Sequence, residues 1–236
     1  MTDLIPTPPQ ARVPVRGGGT FPVRRIYCVG RNFADHAREM GAAVPASKAE
    51  RGQPVFFLKP ADAVVTGDGD IPYPPGTSEL HHEVELVVAV GRDAAAGVVA
   101  IKDAQALVFA YGVGLDLTRR DLQAAAKAKG LPWDSGKGFD HSAPISELVP
   151  AAQVELLENL SVSLQVNDKI CQQGRLRDLI WDVPDILHEL SKLFALKAGD
   201  LVFMGTPAGV GPVLPGDHFV ARLDGVAELR GRVIAA

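Results

Sequence analysis

Cysteine, long apolar runs and an excess of basic residues are all scarce in this sequence, and each scarcity excludes a class of protein. The two cysteines, Cys28 and Cys171, belong to no CxxC pair, so we expect both to be reduced, in a reducing compartment. No stretch approaches the roughly 18 apolar residues of a membrane helix, and the N-terminus lacks the apolar run of a signal peptide. The formal net charge of −4 argues against a nucleic-acid partner. We therefore expect a cytoplasmic protein with neither a nucleic-acid nor a membrane partner.

Glycine and proline are abundant instead, with 24 and 18 residues, and they lie between short β-branched runs. This pattern predicts a β-rich fold with many turns rather than a helical bundle. The length of 236 residues fits one large domain or two small ones. Because we find no linker that would split the chain cleanly, we predict a loosely held N-terminal arm over residues 1–20 and a single domain over residues 21–236.

Local patterns predict where the main strands and helices lie. Alternating or continuous apolar runs predict strands at residues 26–29, 55–58, 83–90, 109–115 and 160–167. Helical spacing and end signals predict helices at residues 33–40, 119–129 and 183–194, the last capped by Asp182. Asn167-Asp168 and Asp224-Gly225 are expected to turn strands into hairpins. Residues 42–53 are expected to form a mobile loop.

The segment LHHEVEL carries the most informative acidic residues. On a strand, Glu83 and Glu85 point to the same side, and two parallel carboxylates repel unless a cation or protons lie between them. Asp116 ends the next strand and is a third candidate ligand. Three carboxylates without a thiolate favour a hard cation such as Mg²⁺ or Mn²⁺. The alternative interpretation is an exposed strand face with two ordinary glutamates.

The adjacent histidines His81 and His82 suggest a zinc site only at first sight. Neighbouring residues on a strand point to opposite faces, so both side chains cannot easily bind one ion. We therefore do not predict a zinc site here, although one imidazole could lie close to the acidic ligands without binding the metal itself.

His36 and Glu39 in ADHAREM form a candidate general base. Their i,i+3 spacing places both on one face of a helix, where Glu39 would fix the imidazole tautomer and raise its basicity towards water. Gly30 and Gly41 flank the segment, which suggests a hinged lid. The alternative is a surface helix with a solvated ion pair.

Seven separated segments, taken in order, make this chain resemble the fumarylacetoacetate hydrolase family, close to its acylpyruvase and fumarylpyruvate hydrolase branch. They are YCVGRNFADHAREMG, FFLKP, LHHEVELVV, YGVGLDLTRRDLQ, KGLPWDSGKGFDHSAPI, VND with QQG, and GDLVFMGTPAGVGPV. The resemblance implies an α+β, mainly β fold, a mixed β-roll of packed sheets with a few peripheral helices. It also implies a homodimer and a lid over about residues 30–53.

The resemblance also assigns site residues. It places the metal ligands at Glu83, Glu85 and Asp116, and a catalytic His–Glu dyad at His36 and Glu39. It places substrate contacts at Arg120, Gln123, Lys137 and Thr206. Gly136, Gly138 and Leu179 depart from the usual family residues, which leaves the metal site intact but puts the substrate preference in doubt.

The basic residues have a separate physical argument. A cation at a helix start is mildly unfavourable for the helix dipole, so one of Arg119 and Arg120 is expected to have another task, and Arg120 suits a substrate carboxylate. If the substrate is an acylpyruvate such as fumarylpyruvate, Arg31 and Arg119 are candidates to hold its distal carboxylate. For Lys137 the alternative is a solvated surface lysine. GTPAGVG lacks the Gly-Lys-Ser/Thr ending of a P-loop, so we interpret it as a turn that brings Thr206 to the substrate or is merely structural.

Together these features predict a Mg²⁺- or Mn²⁺-dependent hydrolase of 2,4-dioxo acids. His36 would activate water for attack on C4, the C3–C4 bond would break, and the metal and Lys137 would stabilise the pyruvate enolate. The first alternative uses the same site for oxaloacetate decarboxylation or 2-hydroxydienoate isomerisation. The second is a non-catalytic binding protein, which the intact acidic triad and His–Glu pair argue against.

Overall fold

The computed structural model describes residues 4–39, 41 and 43–236, and strands dominate it. The strands are β1 (Arg12–Pro14), β2 (Thr20–Pro22), β3 (Arg25–Gly30), β4 (Val55–Lys59), β5 (Val64–Thr66), β6 (Gly69–Pro72), β7 (Leu80–His82), β8 (Val84–Val90), β9 (Val108–Leu115), β10 (Thr118–Arg119), β11 (Ala143–Ile145), β12 (Val149–Pro150), β13 (Ser161–Val166), β14 (Lys169–Arg175), β15 (Asp200–Phe203), β16 (Gly211–Pro212), β17 (His218–Leu223) and β18 (Ala227–Ile234). The helices are α1 (Ala34–Glu39), α2 (Ile101–Ala104), α3 (Arg120–Lys129), α4 (Asp134–Lys137) and α5 (Val183–Leu193). The predicted α+β, mainly β class is confirmed.

Two curled sheets enclose the main core. An eight-stranded sheet has the order β4-β3-β15-β8-β9-β11-β5, with β12 paired to β9, and a five-stranded sheet has the order β14-β13-β17-β18-β6. Strands β8 and β9 pack against β13, β17 and β18, which buries apolar residues of both sheets in one cluster. A hairpin of β1 and β2 and a small sheet of β10, β7 and β16 complete the fold.

Strand β8 is buried on both faces, which decides how the acidic segment is presented. Val84, Leu86 and Val88 face the core between the sheets, as predicted. The opposite face, which carries Glu85, continues with Val87 and Ala89 in a second apolar cluster. The alternative interpretation of an exposed strand face is therefore wrong, because the whole strand is buried.

The other predicted elements agree with the structure to within a residue or two. Helix α5 begins after Asp182, whose side chain accepts a hydrogen bond from the Asp185 N–H (3.0 Å). Asn167 and Asp168 both adopt positive φ and turn β13 into β14. Gly130 ends α3 in the left-handed conformation. The predicted end of the first helix at Met40 lies outside the described residues.

The N-terminal arm differs from its prediction. Residues 4–10 are exposed, but β1 and β2 pair, and Val13 is fully buried in the second cluster. The Arg16 N–H donates to the Leu148 carbonyl (2.9 Å). Residues 12–14 are therefore not loosely held, because β1 is paired and Val13 is buried beneath the large sheet, whereas residues 16–20 are exposed. No helix in the described part of the chain has the length and apolar character needed to span a membrane.

Candidate active site

Three acidic side chains converge at one end of the central strand pair. Glu83 directly precedes β8, Glu85 lies within it, and Asp116 directly follows β9. The two strands are antiparallel neighbours with Glu85 opposite Gly114, and the Asp116 N–H donates to the Glu83 carbonyl (2.9 Å). One carboxylate oxygen from each residue lies within 4.8 Å of the other two. The structure thus brings together the three residues that were predicted to bind a metal.

Three cations surround two of these carboxylates. Lys137, from α4, is buried and donates to Glu83 (2.8 Å), Asp116 (2.5 Å) and the Thr118 hydroxyl (2.7 Å). Arg120, at the start of α3, donates to the second oxygen of Glu83. Lys59 places its ammonium 2.9 Å from Asp116 Oδ1. The solvated surface lysine considered for Lys137 is therefore excluded.

The pKa values of these groups move in opposite directions. Burial alone would raise the pKa of Glu83, but Lys137 and Arg120 outweigh it and lower that pKa. Burial would likewise lower the pKa of Lys137, but Asp116 and Glu83 raise it instead. Glu85 has no cationic partner among the described residues. Its pKa is raised by burial and by the repulsion of Asp116 and Glu83.

Glu85 carries buried negative charge that the described residues around it do not offset, which fits a bound divalent cation. Glu85 accepts a hydrogen bond from the Gly205 N–H (2.7 Å), which does not cancel its buried charge. Asp116 Oδ1 lies beside Lys59 but accepts no hydrogen bond within the part of the chain that the structure describes. A hard cation would offset both deficits, and oxygen ligands are what Mg²⁺ and Mn²⁺ prefer. The buried Glu–Glu–Asp group could therefore hold such a metal.

Gly205 matters here because its backbone φ is +93°. A Cβ at this position would lie 2.7 Å from the Asn32 Cβ and 3.0 Å from the Val29 carbonyl oxygen. Glycine therefore allows the N–H of residue 205 to approach Glu85 while the chain turns away.

The neighbouring histidines do not join the acidic group. His82 is buried, and its Nδ1 lies 2.9 Å from Gln172 Oε1. His81 occupies the other side of β7, and burial together with repulsion by Arg120 lowers its pKa to about 4. The group of candidate metal ligands contains neither imidazole, which agrees with the argument against zinc.

His36 and Glu39 form the predicted pair on α1, above the carboxylates. His36 Nδ1 lies 3.1 Å from Glu39 Oε2, and His36 is buried while Glu39 is partly exposed. The Gly209 N–H donates to both oxygens of Glu39 (3.1 and 3.3 Å). The GTPAGVG turn therefore contacts the helix that carries the candidate base, and a solvated surface pair is excluded for His36.

The segment of residues 30–53, which was predicted to be a lid, is joined to the N-terminus of α5. Arg51 donates to Asp185 (2.5 Å) and to the Ile180 carbonyl (2.9 Å). Its guanidinium carbon lies 4.0 Å from the centre of the Trp181 ring. Lys48 adds an ion pair to Asp182 (3.1 Å). These contacts hold residues 48–51 in place in this conformation; Met40 and Ala42 lie outside the described residues.

The predicted substrate contacts share one cleft with these groups. One cleft is lined by the three carboxylates together with His36, Arg120, Gln123, Lys137 and Thr206. Arg120 Nε is buried and has no hydrogen-bond partner within the described residues.

Arg119 was predicted to serve a distal carboxylate, and the structure places it elsewhere. Its guanidinium carbon lies 4.4 Å from the centre of the Phe139 ring, and one nitrogen donates to the Ser135 carbonyl (3.2 Å). Arg119 does not line the cleft, because it belongs to β10 and precedes the first turn of α3. Arg31, the second candidate, does line the cleft.

Several residues near the site were not predicted. Lys59 is fully buried and also donates to the carbonyls of Leu117 (3.0 Å) and Lys137. Gln172 donates to Thr206 Oγ1 and accepts from the Val84 N–H (2.8 and 3.0 Å). Both lie in segments that carry the family resemblance, FFLKP and QQG, and this was the one signal that could have identified them.

Comparisons with known proteins show which family the chain is similar to. The family profile "Fumarylacetoacetate (FAA) hydrolase C-terminal" matches residues 25–234. The chain is 39% identical over 204 residues to the mitochondrial oxaloacetate decarboxylase of Dictyostelium discoideum, which covers 86% of this chain and 90% of that protein. It is 40% identical over 206 residues to the oxaloacetate tautomerase YcgM of Escherichia coli, covering 87% and 90%. The crystal structure of fumarylpyruvate hydrolase from Pseudomonas aeruginosa in complex with Mn²⁺ and pyruvate superposes with a TM-score of 0.93, 44% identity and full coverage of both chains.

Proposed function

The chain belongs to the fumarylacetoacetate hydrolase family, and from this premise we propose that it hydrolyses the C3–C4 bond of a 2,4-dioxo acid, releasing pyruvate and a carboxylic acid. The observation that carries the proposal is the cleft that His36 shares with the three carboxylates. A water-activating base is needed for hydrolysis but not for decarboxylation.

His36 is proposed to be the general base. If Nδ1–H donates to Glu39, then Nε2 keeps the lone pair that takes a proton from water. The hydroxide adds to C4, and the C3–C4 bond breaks with its electron pair going to the pyruvyl fragment. A proton then adds at C3 and pyruvate leaves, while C4 becomes the carboxyl group of the second product.

The remaining site residues are proposed to hold the pyruvyl end and its charge. Glu83, Glu85 and Asp116 would hold a Mg²⁺ or Mn²⁺ ion, which supplies Lewis-acid stabilisation of negative charge on a substrate oxygen. Arg120, with its unpartnered Nε, suits the substrate carboxylate, since guanidinium binds carboxylates in a bidentate manner. Lys137 keeps its proton, because the carboxylates raise its pKa, and adds a fixed positive charge. Gln123 and Thr206 are proposed to orient the substrate.

A second candidate function is the tautomerisation or decarboxylation of oxaloacetate. It is supported by relatives about 40% identical that carry those activities in their names. Tautomerisation requires a group that moves a proton at C3, for which His36 is also available. Homodimer formation and a cytoplasmic location remain predictions; several relatives are mitochondrial.

A substrate panel tests the proposal. Protein treated with EDTA and then reloaded with Mg²⁺ or Mn²⁺ is assayed with acetylpyruvate, fumarylpyruvate and oxaloacetate, with metal alone as the blank. We expect metal-dependent release of pyruvate and one equivalent of carboxylic acid from a 2,4-dioxo acid. Accelerated keto–enol exchange or decarboxylation of oxaloacetate without any acylpyruvate cleavage would favour the second candidate. No reaction under any condition would indicate a binding protein.

A further inference from the structure

Two of the four basic side chains that line the cleft have no acidic partner. Arg120 and Lys137 donate to the carboxylates at its base, whereas Arg31 and Lys127 form no ion pair within the described residues. Lys127 is half-buried and Arg31 is exposed. Burial, followed by repulsion from Arg120 and Arg31, lowers the pKa of Lys127 to about 8. Clustered cations of this kind are unfavourable unless an anion joins them.

An aromatic pair lies between Lys127 and Lys137, the lysine at the base of the cleft. Lys137 Nζ lies 4.9 Å from the centre of the Phe57 ring, and Lys127 Nζ lies 4.9 Å from the centre of the Trp133 ring. The two rings contact each other with centroids 6.0 Å apart. The ammonium groups are therefore separated by an apolar wall, which favours a ligand with several carbons between its two charged ends.

Helix α3 and the end of β3 direct the unpaired cations to this wall. Arg120, Gln123 and Lys127 recur at helical spacing and all line the cleft, so one face of α3 reaches from its base to its mouth. Gly30 packs beside Trp133, since a Cβ at this position would lie 3.8 Å from the indole ring. Arg31 follows with a φ of +59°. Non-glycine residues adopt this conformation rarely, and such cases concentrate at functional sites.

We propose that Arg31 and Lys127 form an anion subsite at the mouth of the cleft that selects substrates with a second, distal carboxylate. The proposal rests on the proposed function, since it takes the first carboxylate to be the 2-oxo acid end held at Arg120. The substrate class is then a 2-oxo dicarboxylate with an apolar or unsaturated spacer, longer than oxaloacetate. Of the two cations expected from sequence, Arg31 is retained in this role and Lys127 takes the place of Arg119.

Binding of two unreactive ligands tests the subsite without turnover. 2-Oxoadipate and 2-oxohexanoate have the same number of carbons and differ in the distal carboxylate. Isothermal titration calorimetry with Mg²⁺-loaded protein should give a lower Kd for 2-oxoadipate. Lys127→Met and Arg31→Gln should each weaken 2-oxoadipate binding by about 10-fold, which is the loss of one charge-assisted hydrogen bond. Neither variant should change the Kd of 2-oxohexanoate.

The controls separate this proposal from the proposed function. Lys129→Met removes a lysine from the same helix that does not line the cleft, and should leave both Kd values unchanged. Lys127→Arg keeps the charge and should keep the selectivity. Equal losses for both ligands, or no selectivity in the unaltered protein, would overturn the subsite. Failure of acetylpyruvate cleavage with selectivity intact would instead count against the hydrolase proposal alone.

Discussion

Glu85 and Asp116, at the base of the cleft, are almost fully buried on the central strands of the eight-stranded sheet. His36 and Glu39 lie on helix α1 of six residues, in which His36 and Ala37 are buried; this helix belongs to the segment of residues 30–53, which we call the cover. The carboxylates at the base of the cleft are held in place by strand pairing along the whole of β8 and β9. The cover is attached through side-chain contacts instead, such as those of Glu39 with Gly209, of Arg51 with Asp185 and of Asn32 with Trp181.

This difference separates two tasks. Carboxylates that bind one cation must keep fixed positions, and a buried strand pair provides them because its backbone cannot shift without breaking the core. A general base such as His36 must let the substrate enter before it acts on water. A segment attached through side-chain contacts opens at lower cost than a strand paired on both sides. Substitutions of the carboxylates at the base of the cleft should therefore affect stability and metal binding, whereas substitutions in the cover should affect turnover alone.

The largest effect is expected from Asp116→Asn. This change removes the charge that faces Lys59 and Lys137 in a fully buried site. Lys137 keeps its ion pair with Glu83, but Lys59 is left buried without a carboxylate partner, which should lower the free energy of unfolding by about 3–5 kcal/mol. Mg²⁺ affinity should also be lost. Urea unfolding in the presence of EDTA measures the first effect without a contribution from the metal, and calorimetry measures the second.

The control for Asp116 is Asp103→Asn, at an exposed position of α2. Its effect on unfolding should stay within about 0.5 kcal/mol. An Asp116→Asn protein that still bound Mg²⁺ with unchanged affinity would contradict the assignment of this carboxylate as a metal ligand.

The next effect is expected from His36→Gln in the cover. Loss of the base should reduce kcat for a 2,4-dioxo acid by about 10²–10⁴-fold. Metal affinity and the urea midpoint should remain those of the unaltered protein, since His36 contacts none of the three carboxylates at the base of the cleft. Glu39→Gln should give a smaller loss, because the imidazole stays in place. Normal turnover in His36→Gln would remove this residue from the mechanism.

A smaller effect is expected from Arg51→Gln, which weakens the attachment of the segment of residues 30–53. The Arg51 side chain is 10% exposed, and its guanidinium contacts Trp181 and donates to Asp185. Its loss should lower turnover by about 10-fold through misplacement of His36, with unchanged Mg²⁺ affinity. Backbone hydrogen exchange over residues 30–53 should become faster.

Arg38→Gln is the matched control for Arg51. Arg38 lies in the same segment, but its ion pair with Asp35 is exposed and should contribute little. If both variants reduced turnover equally, the attachment at Asp185 would not be the cause.

The base of the cleft was more predictable from sequence than its surroundings. Alternation along β8 placed Glu83 and Glu85 together, because strand geometry has a fixed period of two. Burial of Lys59 could not be predicted in this way. A lysine at a strand end is ordinarily solvated. Lys59 is buried because its ammonium donates to the carbonyls of Leu117 and Lys137, which lie far along the chain.

The start of α3 illustrates a smaller but decisive uncertainty. The helix was predicted to begin at Arg119 and begins at Arg120. With the helix starting at Arg120, positions 120, 123 and 127 face the cleft, whereas Arg119 turns to Phe139. Helix ends are the least reliable part of any pattern, so the sequence did not show that Arg119 lies outside the face that lines the cleft.

The smallest effect is the pH dependence of ligand selectivity at the mouth of the cleft, where Lys127 lies. An ordinary lysine stays charged to about pH 10.4, but the pKa of Lys127 is lowered to about 8, by burial and by Arg120, Arg31 and Lys137, with Glu83 opposing them. As pH rises from 7 to 9, Lys127 therefore loses its proton, and the preference for 2-oxoadipate over 2-oxohexanoate should fall several-fold. A bound carboxylate favours the charged amine, so the midpoint should lie above 8 in the complex. In Lys127→Arg the side chain does not titrate in this range, and the preference should stay constant. A parallel decline in that variant would assign the pH dependence to another group.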